Sequence, residues 1–146
     1  VLAGGNPPLD VDGPSLDELL DEASPPEYVC IQAFIDPARE AELEPLKDRA
    51  AQTGCAVTPG LGPRYLHSTG QLHKGGPARG VFVQLVASHP DDLLIPGAHE
   101  TFGMLIDAQS LGDAQSLDAR GLPVVRIQLG DDADAGLDTL IAALET

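Results

Sequence analysis

Apolar residues in this chain fall into short dense runs, separated by segments whose apolar positions recur at helical spacing. Tyr28-Val-Cys-Ile-Gln-Ala-Phe-Ile35 and Gly80-Val-Phe-Val-Gln-Leu-Val-Ala87 are almost unbroken, the pattern of strands buried on both faces of a parallel sheet. Cys55-Ala-Val-Thr58 and Pro123-Val-Val-Arg-Ile-Gln-Leu129 read as two shorter strands. Ser15 with Glu18 forms a capping box, so Leu16, Leu19 and Leu20 predict a short amphipathic helix ending near Ser24-Pro25-Pro26. Its own sequence anchors it poorly, and the expectation is that it packs on a part of the protein preceding Val1. Asp36-Pro37 starts a second helix that runs to about Thr53 and must kink or split at Pro45, where a helical amide is lost. The longest helix is expected over His99–Ala119, with Phe102, Leu105, Ile106, Gln109, Leu111 and Leu117 as its stripe and Gly121 as its stop. Ala133–Leu144 closes the chain as a helix, and His89–Gly97 reads as a connecting loop.

Strands alternating with helices predict an α/β fold, a mostly parallel sheet of about four to five strands covered on both faces and joined by right-handed crossovers. Residues 1–14, rich in Gly, Pro and Asp, read as a linker or truncated end, and 15–146 as a single domain. No run is apolar and long enough for a membrane-spanning helix, and the first residues lack the basic and apolar regions of a secretory signal.

Charge narrows the partners. A formal net charge of −15 argues against nucleic acid and against anionic membranes, because few cations are available to replace phosphate counterions. Cys30 and Cys55 lie inside apolar runs without a Cys-x-x-Cys pair, which predicts two buried free thiols in a cytoplasmic protein. No spacing of His, Cys, Asp or Glu predicts a metal centre or another cofactor, and His67 and His73 do not share a helical face at i, i+4. Self-association is left open.

Against this background one stretch stands out, Gly62-Pro-Arg-Tyr-Leu-His-Ser-Thr-Gly-Gln-Leu-His-Lys-Gly-Gly76. With Arg79 it gathers three of the eight basic side chains, Arg64, Lys74 and Arg79, and two of the four histidines, while no acid occurs between Asp48 and Asp91. Ser68, Thr69 and Gln71 add hydrogen-bonding groups, and four glycines would let backbone amides approach a ligand. Two readings stand: a solvated basic loop, or a site for a small, oxygen-rich anion. The stretch follows the second strand, so it falls at the carboxyl edge of the sheet, where ligands of such folds bind. Gly60-Leu-Gly62 lacks the third glycine and the acid of a dinucleotide fingerprint, and Ser68 with His73 lacks a nucleophile elbow. His99 and Glu100, at the start of the long helix, form the chain's only His–acid neighbours, with capping as the alternative role of Glu100.

The segment Arg64 to Gly76 resembles the C-terminal glucose-6-phosphate isomerase portion of the fused transaldolase/phosphoglucose isomerase proteins of bacteria. The resemblance continues through Thr101-Phe-Gly103, Ala108-Gln109, Leu111-Gly-Asp113 and the final strand and helix, roughly residues 27–144. It implies a sugar-isomerase (SIS, flavodoxin-like) three-layer fold. It also implies the second of two such subdomains, with the first subdomain and any transaldolase domain lying before Val1. The implied reaction, part of cytoplasmic carbohydrate metabolism, interconverts glucose 6-phosphate and fructose 6-phosphate through a cis-enediolate, without a metal. Ser68-Thr69-Gly70-Gln71 is similar to a Gly-Thr-Asn-Gly-Gln-His-like segment of that family. On this basis His67 or His73 would transfer the proton, Arg64 and Lys74 would meet anionic oxygens, and Ser68, Thr69 and Gln71 would bind the sugar. His99, with Glu100, stands near the place of a ring-opening histidine.

The sequence also departs from the family. No carboxylate base precedes the similar segment, and no Lys follows Lys74. A non-catalytic SIS-type module that binds a sugar phosphate or mediates assembly is the alternative.

Overall fold

The computed structural model describes residues 10–144. Its five-stranded sheet has the order β1-β5-β4-β2-β3, built from β1 Asp10–Asp12, β2 Tyr28–Phe34, β3 Ala56–Leu61, β4 Gly80–Val86 and β5 Val124–Gln128. β2 pairs in parallel with β3 and β4, and β4 in parallel with β5, while β1 adds an antiparallel edge. The expected α/β three-layer architecture with a mostly parallel sheet is what the chain adopts. The leader expected as a linker over 1–14 instead places residues 10–12 in the sheet, and residues 1–9 lie outside the described residues.

Helices α1 (Leu16–Glu22), α2 (Glu44–Ala51) and α5 (Ala133–Leu144) cover one face. Val29, Ile31, Ala33, Val81, Val83 and Leu85 meet them there in the main core. Each is removed from water almost completely, a burial that supplies about 1.5–3 kcal/mol per large apolar side chain. The capping box forms as expected, Ser15 Oγ accepting from Glu18 N and Glu18 Oε2 from Ser15 N. The expected packing of α1 on a preceding segment is corrected: Leu19 and Leu20 are buried in this domain's own core. Asp36 Oδ1 accepts from Ala38 N to start a 3-10 helix over Pro37–Leu43. It gives way to α2 at Glu44–Pro45, so Pro45 sits in a first turn where its missing amide costs nothing. Gly54, at φ 79°, turns the chain into β3.

The opposite face carries α3 (Thr69–Gly75) and α4 (Phe102–Asp118) over a different surface. Cys30 and Phe82 pack there with Leu117 and Leu122. Beside them, register aligns Gly60, Gln32, Gln84 and Arg126 across four strands. Both glutamines are fully buried.

That polar row decides how α4 is rotated. Buried polar groups need partners. Ser110 and Asp113 therefore turn inward with Ala114 and Leu117, and Ser110 O accepts from Gln84 Nε2 at 3.0 Å. Arg126 completes the network, Nε donating to Gln84 Oε1 and Nη2 to Ser110 Oγ, both at 2.9 Å. The expected stripe is thus corrected: Phe102, Leu105 and Leu111 face outward, and Leu117 alone of it is buried. The helix begins at Phe102 rather than His99, with Thr101 Oγ1 accepting from Met104 N as its cap. No described helix is long and apolar enough to cross a membrane.

Candidate functional site

After β3 the polar stretch folds not as an open turn but as two short helices, a 3-10 turn over Arg64–His67 and then α3. Its glycines serve packing. A Cβ on Gly62 would fall 2.4 Å from the Phe34 ring, one on Gly70 would lie 3.0 Å from Tyr65 O, and one on Gly76 would lie 2.6 Å from Leu72 O. Only at Gly75, of the four, would a side chain meet open space. Tyr65 is the pivot: it is buried, stands edge-on to Phe34 with ring centroids 5.8 Å apart, and rests against Gly60 and Gly70.

The absence of acids between Asp48 and Asp91 does not survive folding. Asp113, brought in by α4 and 3 % exposed, accepts from Tyr65 Oη at 2.7 Å through Oδ2. Lys74 Nζ lies 2.8 Å from its other oxygen, an ion pair rather than a directed hydrogen bond, so that oxygen lacks a hydrogen-bond donor among the described residues. Burial, reinforced by Asp113, pushes the Tyr65 phenol pKa up, keeping it a donor. Lys74 is therefore committed to neutralising a buried carboxylate, and not to a ligand as the sequence led one to expect.

His73 is likewise a structural residue, a correction to its expected proton-transfer role. It is 2 % exposed, with Nδ1 2.8 Å from Tyr28 Oη and Nε2 3.3 Å from Cys30 Sγ. Its ring lies edge-on to Phe82, centroids 5.3 Å apart. Burial lowers its pKa and pushes the Cys30 thiol up to about 12, so both partners are neutral near pH 7. A neutral, enclosed thiol is not a nucleophile, and this Cys–His pair is a core contact. Cys30 and Cys55 are both free and buried, as the sequence predicts.

Arg64, His67, Ser68, Thr69 and Gln71 remain exposed and together form a ledge over the start of α3. Ser68 Oγ donates to Tyr65 O at 3.2 Å and Gln71 Nε2 to Leu66 O at 2.9 Å, and neither side-chain oxygen accepts a hydrogen bond among the described residues. Arg64, His67 and Thr69 make no side-chain hydrogen bond or ion pair to another described residue. His99 and Glu100 belong to a separate turn before α4, in which Glu100 Oε2 accepts from His99 N and Thr101, not Glu100, caps the helix.

A second feature escaped the sequence reading. β2 and β4 are neighbours, yet the chain leaves β2 toward α2 on one face and β4 toward α4 on the other. This divergence is where ligands of open α/β sheets bind. A cleft of about 790 Å³ opens there, with Asp36, Ser88, His89, Asp91, Asp92 and Asp131 among its lining. Ser88 Oγ donates to Asp131 O at 2.8 Å, and His89 Nε2 stands 2.9 Å from Asp107 Oδ1 at the rim. Hydrogen bonds from the Thr101 side chain and from the Gly103 and Leu93 amides hold the Asp92 carboxyl below its ordinary pKa. The signal was available as the acid pairs Asp91-Asp92 and Asp131-Asp132 a few residues after apolar strands. Among the described residues, no group of three or more His, Cys, Asp or Glu side chains is placed to hold a metal ion.

No protein-family model matches the sequence, and no curated protein matches it. Among solved structures, a hypothetical protein from Thermus thermophilus is similar over 88 % of this chain, with a TM-score of 0.71 and 16 % identity. At that identity the likeness is one of fold. The chain spans 35 % of the length of that protein.

Proposed function

We propose that this chain supplies one wall of a sugar-phosphate aldose–ketose isomerase site, converting glucose 6-phosphate to fructose 6-phosphate through a cis-enediolate, as part of a longer polypeptide or assembly. The reading rests on the exposed ledge. Arg64, His67, Ser68, Thr69 and Gln71 point outward from a base fixed by Tyr65 on Asp113. In this reading Arg64 meets anionic oxygens as a planar cation, and Ser68, Thr69 and the Gln71 carbonyl accept or donate to sugar hydroxyls. His67 moves the proton between C2 and C1, imidazole being the side chain that gains and loses a proton near neutrality.

Four expected roles are changed by the geometry. Lys74 and His73 act by holding α3, and His99 with Glu100 stay outside the ledge. The acidic cleft repels phosphate, which favours a phosphate-binding wall on a complementary segment, a first SIS subdomain as the resemblance implies, with or without an attached transaldolase domain. The isolated chain is accordingly expected to be inactive, and the proposed reaction places the protein in the cytoplasm with no cofactor requirement.

A second reading, a non-catalytic module that binds a sugar phosphate or mediates assembly, is favoured by one observation: α4 leaves Phe102, Met104, Leu105 and Leu111 exposed. The two are separated by assaying glucose 6-phosphate–fructose 6-phosphate interconversion in the longest natural polypeptide that contains these residues. His67→Ala is expected to lower turnover by about 100-fold or more with unchanged circular dichroism. Undiminished turnover would remove His67 from the mechanism, and sugar-phosphate binding without turnover in the unaltered protein would favour the module.

A further inference from the structure

The cleft at the carboxyl ends of β2, β4 and β5 is built differently from the ledge. Ile35, Leu93, Phe102 and Ile106 give it an apolar floor, and Leu93 and Phe102 are 68 % and 47 % exposed, so the floor continues onto the lip. Asp36, Asp91, Asp92, Asp131, Asp132 and Asp134 surround it. Arg39 is the one Lys or Arg among its lining residues, and its charge is already spent. Its guanidinium meets Glu42, Asp134 at 2.6 Å and Asp138 at 2.8 Å.

We propose that this cleft is a docking groove for a basic amphipathic peptide segment of a partner protein, with apolar side chains on the floor and Lys or Arg on the rim. Charge complementarity selects the occupant. An anionic ligand meets five carboxylates besides the Asp134 that Arg39 pairs, and a second copy of a chain with net charge −15 meets the same repulsion on a larger scale. A wide groove with exposed apolar lips suits a segment that lays two or three anchors along it, as helices do in hydrophobic grooves. The inference uses no residue of the ledge and stands or falls apart from the isomerase reading.

The test is fluorescence anisotropy with a labelled peptide of about 18 residues carrying Leu at helical spacing and Lys elsewhere. Three comparisons accompany it: the same peptide with Ser for Leu, the rim variant Asp91→Asn/Asp131→Asn, and a control variant Glu22→Gln/Asp118→Asn. Glu22 and Asp118 lie at helix ends that lead into the opposite edge of the sheet, so the control removes equal charge away from the cleft. Urea midpoints confirm that each variant folds. The Ser peptide and the rim variant are each expected to weaken binding by about tenfold, and the control by less than about twofold. Equal weakening by rim and control variants would reduce the effect to net charge and overturn the proposal. So would full binding of the Ser peptide, or no binding of the Leu/Lys peptide to the unaltered protein.

Discussion

Tyr65 donates a hydrogen bond of 2.7 Å to Asp113 across 48 positions of sequence, tying the polar stretch after β3 to the buried side of α4. The bond helps explain why a stretch rich in glycine and polar residues packs against the domain as two short helices and not as an open loop. It also explains how a carboxylate tolerates an interior place, since Lys74 supplies the opposite charge.

Removing that carboxylate leaves a buried hydroxyl and a partly buried cation uncompensated. Asp113→Ala is expected to lower unfolding free energy by about 3 kcal/mol, because Lys74 keeps a partly buried charge and Tyr65 loses its acceptor. Asp113→Asn, which still accepts from Tyr65, should cost less. Urea denaturation at constant pH measures both, and equal small losses would show that α3 is not held this way.

The two central glutamines should respond oppositely to the same change. Gln84 bridges Ser110 O and Arg126, so Gln84→Leu strands partners and is expected to cost about 2–3 kcal/mol. Gln32 has a buried Nε2 with no partner among the described residues and only a long 3.4 Å contact at Oε1. Gln32→Leu is therefore expected to be neutral or stabilising, as measured by thermal or urea midpoints.

Acid should weaken the fold partly through His73. Burial lowers its folded pKa below the ordinary 6.5, so the unfolded chain takes up the proton first. The stability due to neutral His73 is complete above about pH 6.5 and is lost as pH falls from there through the folded pKa. Between about pH 7 and pH 5 the urea midpoint of His73→Gln should decline less than that of the unaltered chain. Parallel declines would assign the acid sensitivity to other groups.

Sequence reading succeeded where the physics is local. The Ser15–Glu18 capping box, the Asp36-Pro37 helix start and the apolar runs of β2 and β4 are each written within a few residues, and each forms in place. It failed where a side chain's role is set by a remote element. His73 looks free until Tyr28 and Cys30 are placed beside it, and Lys74 looks available until α4 delivers Asp113. The rotation of α4 is likewise set by a remote element. Gln32 and Gln84 sit in the middle of apolar runs, and those two polar residues were the one sign that the helix above them must turn Ser110 and Asp113 inward.

The ledge itself, Arg64 with His67, Ser68, Thr69 and Gln71, is tested most directly by residue-resolved NMR during titration with fructose 6-phosphate. Weak, saturable shifts are expected by about 10 mM ligand, centred on the amides of residues 64–71 and absent from Ser88–Asp92 and Asp131. Shifts that centre on the acidic cleft, or none across 64–71 at that concentration, would contradict the assignment of a sugar-phosphate wall to this part of the chain.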